Sequence, residues 1–245
     1  MYPSPYPAPF ISPHMRANIV KILLAAGAIA TGISLLVEAV SLGFPVSEEQ
    51  EFEANPAGFA LALIIFLLAV LELLIYITTV IFFCVWLYRA YANLKIFDSS
   101  TPLDYSPGMA VGSFFIPFAN LVVPYRAVRE TWQKSGTPEE SAFALPSAPA
   151  SFPLWWTFWL AAGFVGKISM RLSFDDSIPH SAATMIGIVA GALSLIAAVF
   201  AFFVVDAIDK KQEETTAKLG LGPFSTPQPP PAYMRDPVLN ESSGL

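Results

Sequence analysis

The sequence predicts an all-α protein, a polytopic membrane helix bundle. Four transmembrane helices are joined by a re-entrant or interfacial helical segment between spans two and three. Three observations lead there. Of 245 residues, 55% are hydrophobic and only 13% are charged, against about 25% charged in an ordinary soluble domain. The charge deficit is concentrated in four long apolar runs, with polar residues crowded between them. A fifth apolar stretch carries a proline in its middle, which suits a broken segment better than a straight span.

Residues 1–17, MYPSPYPAPFISPHMRA, hold five prolines and read as an extended, disordered leader. The leader lacks the basic start of a signal peptide, so the apolar run behind it is a retained span. The membrane domain covers 18–211. Span one is 18–42, ended by Gly43 and Pro45. The loop after it is acidic, with Glu48, Glu49, Glu51 and Glu53. Span two, 57–88, starts behind Pro56, a natural first-turn proline. Its apolar run is about 45 Å long at the α-helical rise, which exceeds the hydrocarbon and demands tilt or protrusion. Trp86, Tyr88 and Tyr91, beside Arg89 and Lys95, read as an interfacial belt at its exit.

Segment 105–135, YSPGMAVGSFFIPFANLVVPYRAVRETWQKS, is the unusual one. Ser106 and Pro107 form an N-cap and first-turn pair. Gly108 and Gly112 are a small-residue pair. Pro117 breaks the helix, and Asn120 sits among apolar residues. Pro124 starts a second piece, in which Tyr125, Val128 and Trp132 share a face opposite Arg126, Arg129 and Gln133. Arg126 and Glu130 stand at i,i+4 spacing. This pattern predicts a re-entrant loop followed by an interfacial helix. A proline- and serine-rich linker spans 136–152.

Span three, 153–173, opens with Trp155, Trp156 and Trp159. A short loop with Asp175, Asp176 and His180 leads to span four, 182–208. There Ala183, Gly187 and Gly191 recur every fourth residue, giving one smooth face for close helix approach. Asp209, Lys210 and Lys211 end it, and 212–245 reads as a proline-rich disordered tail.

Positive charge orients the bundle. With the broken segment re-entrant and both termini cytoplasmic, eleven of the thirteen basic residues fall on the cytoplasmic side, the arrangement of the positive-inside rule. If that segment crossed, the asymmetry would vanish. The location predicted is a cell membrane, crossed four times.

The strings WLYRAYANL (86–94), segment 105–135 and PLWWTFWLA (153–161) together resemble a bacterial family of membrane proteins, domain of unknown function 4328. The middle string is the specific part: its Ser-Pro-Gly start, Phe-Ile-Pro-Phe-Ala-Asn centre and Pro-Tyr-Arg-Ala turn recur together in that family. The resemblance covers roughly Asn18 to Lys211. It departs at Met109 and Ser113, where members often have an aromatic residue. It implies bacterial inner-membrane placement and no particular chemistry.

Ionisable residues inside spans mark candidate sites. Glu38, Glu72, Lys167 and Arg171 all fall in the outer half of their spans and form a candidate charge cluster. Its ordinary reading is structural pairing; its sharper one is a proton or ion relay, or an anion site. The broken segment, with Ser106, Pro107, Gly108, Gly112, Pro117, Asn120, Pro124 and Arg126, is a candidate pore lining or, more simply, a platform under the bundle. Arg126 and Arg129 are candidates for lipid phosphates. Pro230, Pro231 and Tyr233 match a PPxY pattern.

Catalytic signatures are absent: there is no HExxH, no Cys/His cluster and no nucleophile elbow. Cys84 is the single cysteine and lies in an apolar run, while His14 and His180 are far apart, so no metal site or cofactor is expected. No basic patch dominates, which argues against nucleic acid. The expected partners are the lipid bilayer and a protein engaging the proline-rich ends. The function expected is a non-catalytic membrane scaffold or sensor. The alternative is a small transporter or channel, which four spans would form only as a homo-oligomer.

Overall fold

The structure, a computed structural model, describes residues 12–43, 56–100, 102–143, 146–175 and 177–221. Among them are seven α-helices and no strand: α1 (His14–Gly43), α2 (Pro56–Phe97), α3 (Pro107–Gly112), α4 (Val123–Gln133), α5 (Pro138–Phe143), α6 (Ser151–Leu172) and α7 (His180–Lys218). Two short 3-10 turns, Ser113–Phe115 and Ala119–Leu121, join α3 to α4. Most of the leader, the acidic loop, Asp176 and the tail from residue 222, with its PPxY match, lie outside the described residues.

Three helices are long and apolar enough to cross a membrane, within His14–Val40, Ala62–Phe97 and Ser181–Lys218. Their surfaces fit that role. Ile22, Ile29, Leu36 and Val40 on α1, and Leu63, Phe66, Leu67, Leu74 and Ile81 on α2, are exposed, an apolar area no ordinary soluble monomer displays. The 22-residue α6, which carries Lys167 and Arg171, is not among these three.

The long helices form a row rather than a ring. α2 packs along α1, α1 along α7, and α7 along α6. Neighbours run antiparallel: as α1 rises from Lys21 to Leu35, its partners on α7 fall from Asp206 to Gly191. The start of α1, the end of α2, the start of α6 and the end of α7 therefore meet at one end, which we call the base. Tight packing belongs to the base. Trp86, Leu87, Ala90, Val128, Phe152, Trp155, Val204, Val205 and Ile208 make one buried cluster there. Towards the other end, Ala30, Ala162, Ala183 and Ala190 are the buried apolar residues of α1, α6 and α7.

Several helix ends differ from expectation. α1 begins at His14, inside the expected leader, and Ala17 is fully buried. α2 is 42 residues long, about 63 Å, and continues about two and a half turns past the expected boundary at 88. Of the three rings of the belt expected at its exit, only Tyr88 is exposed. Trp86 and Tyr91 are both 0% exposed because α3, α4 and α7 pack around them. α7 does not stop at Lys211 but runs to Lys218, and Gln212, placed in the disordered tail, is 0% exposed. The linker after residue 136 contains α5.

Ala183, Gly187 and Gly191 are not one smooth face. A methyl built on Gly187 would meet Ser169 of α6 at 3.2 Å, whereas one on Gly191 would meet Leu35 of α1 at 2.8 Å. Residues four apart drift around a helix of about 3.6 residues per turn, so the row of small residues serves two neighbours in turn.

Candidate functional site

The base gathers the chemistry. α3, the two 3-10 turns and α4 lie across it as a bent strap. Ser106 starts α3 as an N-cap, its Oγ accepting the Met109 N–H at 3.1 Å, with Pro107 in the first turn. The strap then narrows towards Pro117. Phe118 has φ 65°, and the Ala119 N–H donates to the Pro117 carbonyl at 2.8 Å. That is a γ-turn of the rare positive-φ kind, strained by about 1–3 kcal/mol. Its side chain is 86% exposed, and Phe115, Ile116, Leu121 and Val122 are exposed beside it. Yet the N–H groups of Ile116, Ala119, Asn120, Leu121 and Val122 all donate to carbonyls within the strap. The tip is thus apolar outside and bonds most of its N–H groups within itself, the Phe118 N–H being the exception.

Aromatic rings clamp the strap. Phe114 meets Phe83 of α2 edge-on at 5.7 Å, and Trp156 and Trp159 of α6 at 6.3 and 6.4 Å. Trp156 stacks on Trp159 at 4.9 Å, and its Nε1–H donates to the Leu121 carbonyl at 3.1 Å. Two polar atoms in this region, Trp86 Nε1 and Asn120 Oδ1, are buried without a partner.

Below the rings lie two polar knots. Glu130 of α4, 4% exposed, accepts from Tyr91 Oη at 2.6 Å, from the Asp104 N–H at 2.8 Å and from Lys134 Nζ at 2.5 Å. In the second, Gln212 Nε2 donates to the Ala90 carbonyl at 2.8 Å and to Ser135 Oγ at 3.0 Å, while Thr215 Oγ1 donates to the Ser135 carbonyl. Lys211 lies 4.1 Å above the Trp132 ring and donates to that residue's carbonyl. At the rim, Lys218 and the Thr137 N–H hold the Glu140 carboxyl below its usual range.

An ionic group joins α1 to α7. Lys21 Nζ lies 3.2 Å from Asp206 and 3.4 Å from Asp209, and His14 Nδ1 lies 2.9 Å from Asp209 and 2.8 Å from Glu213. His14, Asp209 and Glu213 offer ligand atoms within 4.8 Å of one another, the one such grouping among the described residues. The ammonium of Lys21 already bonds the Asp209 oxygen that faces His14, so the set reads as an ion-pair network before a cation site. Sequence reasoning missed it. The signal was available: Lys21 and Asp206 have opposite charge and sit at matching depth in two spans expected to be antiparallel.

The expected charge cluster does not assemble. Glu38 and Glu72 approach closely enough to interact electrostatically, and Glu72 Oε1 is buried without a hydrogen-bond partner. Lys167 and Arg171 are exposed on α6, and α7 stands between α6 and Glu38 on α1, with Glu72 one helix further away on α2. Within the strap, Pro124 is buried in the first turn of α4 and Arg126 is exposed. Glu130 pairs with Lys134 rather than Arg126. Gly108 and Gly112 form no close-approach face: a methyl on Gly112 would meet nothing within 4 Å, and one on Gly108 would only touch its own cap, Ser106.

Residues 57–210 match the model of a family described as Domain of unknown function (DUF4328). The chain belongs to that family. The DUF4328 match runs from the start of α2 into α7 and so contains the strap, the rings and the Glu130 knot. It leaves out α1, which the resemblance in the sequence had included. No curated protein and no solved structure matched the chain.

Proposed function

We propose that this DUF4328 protein is a non-catalytic membrane scaffold or sensor module that crosses the bilayer four times, with its base and both termini in the cytoplasm. One observation carries the reading: the packed, polar, aromatic-rich part of the fold is all at one end, and that end also holds most of the basic residues. An excess of Lys and Arg marks the cytoplasmic side. α6 supplies the fourth crossing. Its 22 residues reach about 33 Å, and Lys167 and Arg171 stand in its last two turns, where long side chains reach the interface. The strap is re-entrant. An apolar tip that bonds all but the Phe118 N–H of its turn residues internally goes most of the way to meeting the demand that hydrocarbon makes on backbone. The proline-rich ends are the part offered to a protein partner.

Topology is tested by cysteine labelling in sealed vesicles, on a Cys84→Ala background. Glu139→Cys should react from the cytoplasmic side and Ser177→Cys from the other. Phe118→Cys should resist water-soluble maleimide while reacting with a lipid-soluble one. Labelling of Glu139→Cys and Ser177→Cys from the same side would mean that α6 does not cross.

A second reading, a small transporter, rests on the Glu38–Glu72 approach and the unpartnered Glu72 oxygen. Reconstituted vesicles separate the two. The scaffold reading expects proton, ion and small-solute flux no greater than in protein-free vesicles. Flux that Glu72→Gln abolishes would replace it with the transporter.

A further inference from the structure

The bases of the base are mostly engaged. Lys21, Lys134, Lys210 and Lys218 each meet a carboxylate, and Lys211 meets two carbonyls and a ring. Arg16 and Arg89 are different. Both are half-buried, and among the described residues neither has an ion-pair or hydrogen-bond partner. They line one open groove of about 410 Å³ with Cys84, Val85, Tyr88 and Val111. The groove lies where the first turns of α1, the lower part of α2 and α3 come together.

We propose that this groove binds the headgroup of one anionic phospholipid, with Arg16 and Arg89 on the phosphate. The inference rests on the reading that the base lies at the cytoplasmic face of a bilayer. A half-buried guanidinium without a partner is costly, and a phosphate oxygen pair matches its planar fork. Two such forks in one groove call for a group with more than one negative oxygen. The rest of the lining selects a lipid over free phosphate. Cys84, Val85 and Val111 form an apolar wall, and Tyr88 offers a ring with a polar tip, the usual headgroup-level side chain. Ile77, Ile81 and Val85 are exposed at four-residue steps along α2, so a continuous apolar track leads from the groove up the helix. Val85 is one turn, about 6 Å, from Arg89, the spacing needed for a phosphate at one end and the first acyl methylenes at the other. Basic pockets between membrane helices on the cytoplasmic side commonly take anionic headgroups.

The test uses the full chain purified in neutral detergent, with bound lipid counted by native mass spectrometry during titration with phosphatidylglycerol. The expected result is one phosphatidylglycerol retained per chain at concentrations where phosphatidylcholine is not. Retention should fall at least tenfold in the double variant Arg16→Gln/Arg89→Gln and hardly at all in Lys95→Gln, an exposed base at the same end. Val85→Trp should also abolish it, since the ring fills the groove and leaves both charges in place. Millimolar inorganic phosphate should not displace the lipid. Unchanged retention in the double variant, an equal loss in Lys95→Gln, or phosphate binding with lipid-like affinity would overturn the proposal. The Glu139→Cys and Ser177→Cys labelling is a separate readout, so a chain that fails to span the bilayer is distinguished from one that spans it without this lipid site.

Discussion

Glu130→Ala is expected to destabilise the folded chain by about 3–5 kcal/mol, the usual cost of removing one partner from a buried ion pair. The Glu130 side chain is 5% exposed and Lys134 is 11% exposed, so water does little to replace the lost contact. Truncation strands three donors together: the Lys134 ammonium, the Tyr91 hydroxyl and the Asp104 N–H. Lys134 keeps only the Pro102 carbonyl. Because Tyr91 also accepts the Tyr105 N–H at 3.0 Å, the damage reaches the turn that leads into α3. Glu130→Gln keeps the shape and loses the charge, and should cost less. Tyr91→Phe should cost about 1.5–3 kcal/mol for a hydrogen bond to a charged group, and its effect should not add to that of Glu130→Ala. Thermal unfolding in detergent, followed by Trp fluorescence, reads all three. A shift for Glu130→Ala no larger than for the exposed Arg126→Ala would show that the knot does not hold the base together.

Trp156→Ala is expected to cost a similar amount, about 3–5 kcal/mol, but its signature should be local. The indole stacks on Trp159, meets Trp155 and Phe114 edge-on, and holds the Leu121 carbonyl. It is the hydrogen-bonded link from α6 to the part of the strap that follows the strained Phe118. Without it the γ-turn has less to maintain its conformation against the strain. Hydrogen exchange should therefore speed up at Asn120, Leu121 and Val122 well before it does at α2 or α7. Trp156→Phe, which keeps a ring and loses the N–H, should retain most of the stability. Uniform exchange across the chain in Trp156→Ala would mean that the strap and the helices unfold as one unit.

The long apolar helices were legible because hydrocarbon and protein core both reward runs of apolar residues. For the same reason their lower ends were not. Trp86 and Tyr91 read alike whether lipid or protein covers them, so two buried rings passed for part of an interfacial belt. Gln212, Thr215 and Thr216 look like tail residues, and nothing local says otherwise. The partners of Gln212 and Thr215, at Ala90 and Ser135, are remote in sequence, and the Thr216 hydroxyl donates to the Gln212 carbonyl one turn back. Depth along a span was readable from residue counts, and it placed Glu38, Glu72, Lys167 and Arg171 in the outer half of the bundle. The direction in which each side chain points was not, because it depends on the order of the helices in the row. The break at Pro117 was visible, whereas the γ-turn at Phe118 was not, since no residue type there asks for positive φ.

α7 runs unbroken for 39 residues, about 58 Å, and below Gly191 it contains neither glycine nor proline. Sharp bends in helices need such a cause. The loop beside Asp175 and the Gln212 knot are therefore opposite ends of one stiff rod. A push at the far loop would reach the base as a swing of the whole lever, with the Lys21–Asp206 and Lys21–Asp209 contacts as its fulcrum.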